Sequence, residues 1–141
     1  SNEPYGNVNF VVLPYKLNII IILITMRKIT QDAIRAFSNG NKFKRGNTEV
    51  RVYPHSNYRE LRLHNNVIAW YDENYELNIS NCGYFTTTTK ERLNGLSRVS
   101  IYQKDWEWFL NGNKWDGSRV NMTEWDNKHQ APMSNYELNH G

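Results

Sequence analysis

The sequence is poor in cysteine, because Cys82 is the only one among 141 residues. A single cysteine excludes an intramolecular disulfide, a Cys-x-x-Cys pair and a zinc site built on several cysteines. The four histidines have no spacing that builds a metal site. We therefore expect no metal and no cofactor, and spacing assigns no residue a catalytic role. A lone cysteine also fits a reducing compartment, which predicts a cytoplasmic protein.

Long hydrophobic runs are missing as well. The longest, Ile19–Ile24, has six residues, whereas about 20 are needed to cross a bilayer. We therefore expect no membrane partner. Residues 1–25 differ in composition from the rest, and Met26 leads directly into a helical pattern. We expect residues 1–25 to be a non-native or N-terminal extension. The alternative is a genuine β-strand, which the β-branched run favours.

A strong charge of one sign is also absent, since 17 basic and 14 acidic residues give a net charge of +3. Residues 26–120 carry 15 basic and ten acidic side chains, and residues 121–141 carry one and three. This balance excludes a mimic of DNA, which needs a strongly acidic surface. A mildly basic body is compatible with an anionic partner.

Aromatic residues are plentiful at 13% of the chain, and they bury large apolar areas. We expect one α+β domain at residues 26–120, followed by a polar C-terminal tail at 121–141 that is loosely ordered or docks on a partner. Thr30 is the predicted N-cap of the first helix, and Gly40 its end.

Alternating patterns predict four short antiparallel strands between Val50 and Ser80. A capping box of Thr88 and Glu91 predicts a second helix. Residues 99–103 and 106–110 form a predicted hairpin around Lys104-Asp105, and the Asn111-Gly112 turn leads to a last strand. The predicted fold is a small antiparallel sheet, a meander plus a C-terminal hairpin, packed with two short helices.

Several stretches carry a family resemblance, and all lie between Met26 and Gly117. They are Asn66–Trp70, Leu77–Tyr84, Thr86–Leu96, Ile101–Lys104 and Trp108–Gly117. In these stretches the chain resembles a family of small, uncharacterised tailed-phage proteins. The resemblance implies a phage or metagenomic origin, and thus the cytoplasm of an infected bacterium. It carries over no functional residues.

Basic and aromatic side chains alternate with apolar ones on the first two strands of the meander and in the loop before them. Basic side chains interleaved with aromatics are typical of surfaces that grip a phosphate backbone and stack bases. The alternative is a solvated sheet face with ordinary cross-strand Arg–Glu pairs. The candidate nucleic-acid-binding residues are Lys42, Lys44, Arg45, Arg51, Tyr53, Tyr58 and Arg62.

Hydroxyls and cations also gather at the start of the second helix. Free amides at a helix N-terminus suit a phosphate, and Thr88, Thr89, Lys90 and Arg92 form a candidate anion site. Simple helix capping is the alternative.

Trp106, Trp108 and Trp115 could form an aromatic platform for a sugar or base. Trp106 and Trp108 share a predicted face with Leu110, which is typical of a core. Exposed rings would instead suggest an oligomer interface.

The sequence thus predicts a non-enzymatic phage accessory protein that binds nucleic acid through its basic and aromatic sheet face. The alternative is a protein-interaction or virion-associated module that docks on itself or on a host or phage protein. A third hypothesis is an enzyme built on a Cys82 nucleophile and His64.

Overall fold

A computed structural model describes residues 14–130, so parts of the predicted extension and tail, residues 1–13 and 131–141, lie outside it. Its helices are α1 (Tyr15–Asn39), α2 (Thr87–Leu93) and α3 (Met122–Lys128). Its strands are β1 (Phe43–Arg45), β2 (Thr48–Val52), β3 (Arg59–Leu63), β4 (Asn66–Tyr71), β5 (Leu77–Ile79), β6 (Ile101–Lys104), β7 (Glu107–Leu110), β8 (Asn113–Trp115) and β9 (Val120–Asn121).

The strands form two antiparallel sheets. One has six strands in the order β1-β2-β3-β4-β5-β9, and the other has three in the order β6-β7-β8. The predicted α+β class is confirmed. The described residues hold three helices rather than the two short ones predicted, and α1 is long.

Helix α1 begins well before its predicted start. Thr30 is therefore not an N-cap but a buried residue in the second half of the helix. Ala33 and Phe37 lie one helical turn apart, so they share one face, and both are fully buried. That face packs against β1, β2 and β3. The helix ends as predicted at Gly40, whose left-handed φ of 71° suits glycine.

The first turns of α1 are apolar and exposed. Residues 15–25 are helical, so the alternative prediction of a β-strand is wrong for them. Every side chain of Ile19–Ile24 is at least 37% exposed. Six consecutive apolar residues surround a helix on all sides, so this segment is not amphipathic. Among residues 14–130, no helix combines the length and hydropathy that a membrane crossing requires.

The second helix begins two residues earlier than predicted. Thr86 is its N-cap, because the Thr86 side chain accepts a hydrogen bond from the Thr89 amide at 3.1 Å. The predicted capping box of Thr88 and Glu91 is wrong. Glu91 instead accepts a hydrogen bond from the Thr30 hydroxyl on α1.

Arg92 of α2 is only 2% exposed. Its Nε donates to the Thr48 hydroxyl on β2 at 3.0 Å, and its Nη1 donates to the Thr30 hydroxyl at 2.9 Å. The same nitrogen reaches the Met26 carbonyl at 3.3 Å and Glu91 at 2.9 Å. A buried guanidinium is stable only when its donors are satisfied. These partners therefore fix α1, α2 and β2 relative to one another.

The predicted four-strand meander is confirmed as β2 to β5. Val50 of β2 pairs with Leu61 of β3, and both are buried. Ahead of the meander, residues 42–45 were predicted as a loop. They instead include β1, which pairs with β2 through the turn at Gly46. The unrecognised strand has only three residues, two of them basic, which explains why its pattern resembles a loop.

The closing hairpin and last strand are confirmed as β6, β7 and β8, which form a sheet of their own. The polar tail, by contrast, does not begin at residue 121. Asn121 pairs with Asn78 of β5 and caps α3 by accepting a hydrogen bond from the Glu124 amide. Met122 is fully buried. Trp125 also packs against the core and donates from its Nε1 to the Leu110 carbonyl at 3.2 Å, so several contacts dock this polar segment.

A close contact joins the two sheets. After β8, the Gly117 carbonyl accepts hydrogen bonds from the Asn81 amide at 2.9 Å and from the Ser80 hydroxyl at 3.3 Å, just beyond β5. A Cβ on Gly117 would overlap the Asn81 side chain. Glycine is therefore required here for close approach as well as for its φ of 86°.

We expect Gly117→Ala to lower the free energy of unfolding more than Gly112→Ala does. The two glycines have nearly the same φ, 86° and 87°, so both variants lose roughly 1 kcal/mol from the left-handed backbone. Only Gly117 also meets Asn81, since Gly112 faces open space, and overpacking adds about 1–3 kcal/mol. Urea unfolding followed by circular dichroism measures both. Equal losses would mean that Asn81 moves aside freely.

Candidate functional site

The predicted basic face exists, but its arginines are paired. Arg51 lies opposite Glu60, and Arg62 lies opposite Glu49, across β2 and β3. Within each strand, Arg51 Nε lies 3.1 Å from Glu49 Oε2, and Arg62 Nη2 lies 2.8 Å from Glu60 Oε1. Two cations and two carboxylates thus alternate on one face. This charge checkerboard is the arrangement that the solvated-face alternative describes.

The two predicted tyrosines lie on the same face and are tied to its carboxylates. The Tyr53 and Tyr58 hydroxyls donate to Glu60 at 3.1 and 2.6 Å. Burial, aided by the neighbouring Glu60 carboxylate, raises the pKa of Tyr58 to about 12. Burial alone would raise the pKa of Glu60, yet hydrogen bonds from Tyr58, Arg62 and Tyr53 hold it below its ordinary value. Glu60 therefore stays charged at neutral pH and offsets Arg62.

The three basic residues around β1 do not act together. Arg45 turns toward α1, where its Nη1 lies 2.7 Å from Asp32 Oδ2, so it leaves the predicted face. Lys42 and Lys44 line a shallow groove with Arg51 and Tyr53. Among the described residues, neither lysine forms an ion pair within 4 Å. Neither is bonded to a carboxylate, although Lys44 lies opposite Glu49 in the β1–β2 register.

The candidate anion site does not assemble. Thr89 is buried beneath the cap made by Thr86, and Arg92 points into the interior. Lys90 instead lies with its Nζ 5.9 Å from the centre of the Trp108 ring. Since the predicted cations point apart, they share no position where a phosphate could bind. Helix capping accounts for the Thr89 hydroxyl, which lies 2.8 Å from the Thr86 hydroxyl, whereas Thr88 lines a pocket with His64 and Tyr84.

Cys82 and His64 contact different residues and do not form a nucleophile–base pair. The exposed Cys82 thiol donates to the Val67 carbonyl at 3.1 Å, and His64 Nε2 lies 3.5 Å from the Asn47 side chain. A nucleophile needs its base within hydrogen-bond reach, and no such contact joins these two. Residues 14–130 also contain no cluster of three or more metal-ligating side chains.

The predicted tryptophan core is correct for two of three residues. Trp108 and Trp115 are 2% and 3% exposed, with ring centroids 6.3 Å apart. Trp106, predicted to share their face, is 92% exposed. The hairpin register explains the difference, because Lys104 pairs with Glu107 and leaves Asp105 and Trp106 as the two-residue loop. The prediction placed that loop one residue too early.

An aromatic groove lies beside this loop. Its rings are Phe85, Trp106, Trp108 and Trp115, its edge carries Glu107, Lys114 and Asp116, and its volume is about 260 Å³. Phe85 is 54% exposed and packs edge-on against Trp108 at 5.1 Å. The groove therefore has a rigid buried floor and two exposed walls, Phe85 and Trp106.

Sequence reasoning missed Phe85, and it favoured the core for Trp106, whose exposure it gave only as the alternative. Phe85 precedes the cap of α2, where no periodic pattern indicates which way a side chain points. For Trp106 a signal was available: Asp105 is a residue typical of a tight hairpin loop, and placing it first makes Trp106 second. Exposure then follows from the position at the tip.

Comparison with known proteins identifies a family. No curated protein and no solved structure matches the chain. The model of the family described as Kyanoviridae Gp96 protein matches residues 26–132, which is most of the chain. This range includes every stretch that carries the resemblance to small tailed-phage proteins, and that prediction is confirmed. The chain therefore belongs to the Kyanoviridae Gp96 protein family, a family of phage proteins.

Proposed function

We propose that this phage protein is a non-enzymatic docking module that binds another protein through the aromatic groove. The observation that carries the proposal is the 92% exposure of Trp106 at the tip of the β6–β7 hairpin. Single exposed apolar residues are common, but here a nearly bare indole and a half-exposed Phe85 line one groove and form an apolar patch together. Tryptophan is also the residue most enriched in the energetic centres of protein interfaces.

The backbone of the loop supports the same proposal. Asp105 and Trp106 both have positive φ, 51° and 67°, as a two-residue hairpin loop demands. The neighbouring β7–β8 loop meets this demand with Asn111 and Gly112, at 48° and 87°, residues that tolerate it well. A bulky residue in this region costs about 1–2 kcal/mol. An exposed ring contributes little packing energy to offset this cost. A role in binding therefore accounts for a tryptophan at this position better than a role in folding does.

The groove also has the composition of a docking site. Trp108 and Trp115 form a floor that is already packed, so binding there would order few side chains. Glu107 and Lys114 pair with each other at 2.8 Å on the edge. An apolar centre with a charged edge is the usual anatomy of a protein interface.

A second candidate function is nucleic-acid binding, as a phage accessory protein, at the face that holds the charge checkerboard. One observation favours it: Lys42 and Lys44 are unpaired beside Arg51 and Tyr53 on a shallow groove of about 370 Å³. The checkerboard itself adds little net charge, so the binding of a phosphate backbone would depend mainly on the two lysines.

We expect Trp106→Gly to raise the free energy of unfolding by about 0.5–1 kcal/mol. Glycine removes the strain of positive φ but costs entropy in the unfolded chain, and the exposed indole contributes little packing. Trp106→Ala keeps the strained Cβ and should leave stability nearly unchanged. Thermal and urea unfolding measure both variants. A clear loss in Trp106→Gly would show that the indole supports the fold.

The docking proposal is tested by affinity capture. The full chain is immobilised and exposed to lysate from bacteria infected by a phage that carries a family member. We expect a defined set of proteins to bind the wild type and to be lost with Trp106→Asp. The matched control is Tyr75→Asp, because Tyr75 is also exposed, at 62%, with a positive φ of 61°, in a turn of the other sheet.

Retention of the same proteins by wild type and Trp106→Asp would contradict a role of the groove in their capture. Loss with both variants would mean that a new negative charge, rather than the missing indole, disrupts binding.

Nucleic-acid binding is tested by fluorescence anisotropy with labelled single- and double-stranded oligonucleotides at low and moderate salt. If the second candidate is right, Lys42→Ala/Lys44→Ala weakens binding and flattens its salt dependence by about two charges. Lys104→Ala/Lys114→Ala removes the same charge elsewhere and should change little. Absence of binding at low salt would eliminate this candidate.

A further inference from the structure

Each chain presents one protruding indole beside one open groove. Trp106 stands at the hairpin tip, and the space between it, Phe85 and the Trp115 ring is on the scale of a single large side chain, about 260 Å³. A surface that carries both a protrusion and a matching recess can pair with a copy of itself. Around a two-fold axis, each Trp106 would lie against the Phe85 wall of the other chain, with the rings edge-on or offset.

Charges at the hairpin and groove come in equal numbers of both signs. The positive ones are Lys90, Lys104 and Lys114, and the negative ones are Asp105, Glu107 and Asp116. A partner of strong net charge would meet as much repulsion as attraction here. A surface with the same mixture, rotated by a two-fold axis, brings opposite signs together.

One ion pair shows how the exchange could occur. Glu107 and Lys114 are bonded within the chain, with Lys114 Nζ 2.8 Å from Glu107 Oε1, and both side chains are about half exposed or more, at 48% and 65%. In a two-fold contact, Glu107 of each chain can form its ion pair with Lys114 of the other chain in place of its own Lys114. No charge is left unpaired by the exchange.

We infer that the partner of the aromatic groove is a second copy of this chain, held in a two-fold dimer by reciprocal docking of Trp106. The inference rests on the proposed docking function. The exposed parts of two Trp106 and two Phe85 rings supply on the order of 600 Å², since an aromatic side chain buries 150–250 Å². Stable interfaces bury roughly 1,200–2,000 Å², so we expect a weak dimer that forms only at high protein concentration.

The first test is sedimentation velocity of the full chain from about 10 μM to 1 mM. The wild type and the Tyr75→Asp control should shift from one chain to two as concentration rises, while Trp106→Asp should remain a single chain. A wild type that stays monomeric at 1 mM overturns the inference. So does a dimer that persists in Trp106→Asp, for instance one built on the exposed apolar turns of α1.

The second test uses charge reversal. Glu107→Lys alone and Lys114→Glu alone place like charges opposite each other in a two-fold contact, so each variant should be monomeric. An equimolar mixture of the two should form a heterodimer, because each chain then offers the charge that the other lacks. Failure of the mixture to associate overturns the two-fold arrangement.

The self-docking inference and the docking function fail in different ways. A monomeric wild type whose capture of a lysate protein still depends on Trp106 refutes the self-docking inference and keeps the docking function. A monomeric wild type that captures nothing through Trp106 refutes both.

Discussion

The guanidinium of Arg92 is the contact on which the main body depends, because one buried charged group joins α1, α2 and β2. It reaches β2 through Thr48 and α1 through Thr30. Burial lowers the pKa of Arg92, and the Glu91 carboxylate opposes that shift. A charge taken out of water must keep all of its partners. The position of α2, and with it Phe85 just ahead of its cap, is fixed by this requirement.

The parts of the fold that follow from local pattern were predictable. The strands of the meander alternate clearly, and Gly40 and the Asn111-Gly112 turn have conformations that few other residues suit. The contacts of Arg92 were not predictable, since Thr30 lies 62 residues away along the chain and a charged residue in a short helix normally faces solvent. The same applies to the docking of Met122 beyond residue 120.

Part of the candidate site was likewise predictable from the sequence and part was not. Placing Arg51 and Arg62 on one face required only the two-residue period of a strand. The ion pairs that neutralise them, Arg51 with Glu49 and Arg62 with Glu60, join residues two apart in one strand, so the same period places them together. Only the cross-strand order, Arg51 opposite Glu60, required the register, which the sequence leaves open. A one-residue error in the β6–β7 turn then moved Trp106 from the surface into the predicted core. Composition therefore indicated the right residue types for two surfaces, but the position of the β6–β7 turn decided that Trp106 is exposed.

The loop that bears Trp106 contributes little to the packing of the fold. Its two residues lie outside the buried cluster that unites both sheets and the helices, and the strands on either side are held by their own pairing. Substitutions at the tip that keep the Cβ, such as Trp106→Ala, thus change stability little, while they remove the most exposed large hydrophobic side chain of the described residues. Under the proposed function, a change of residue at this tip would alter what the groove binds and leave the fold of the body as it is.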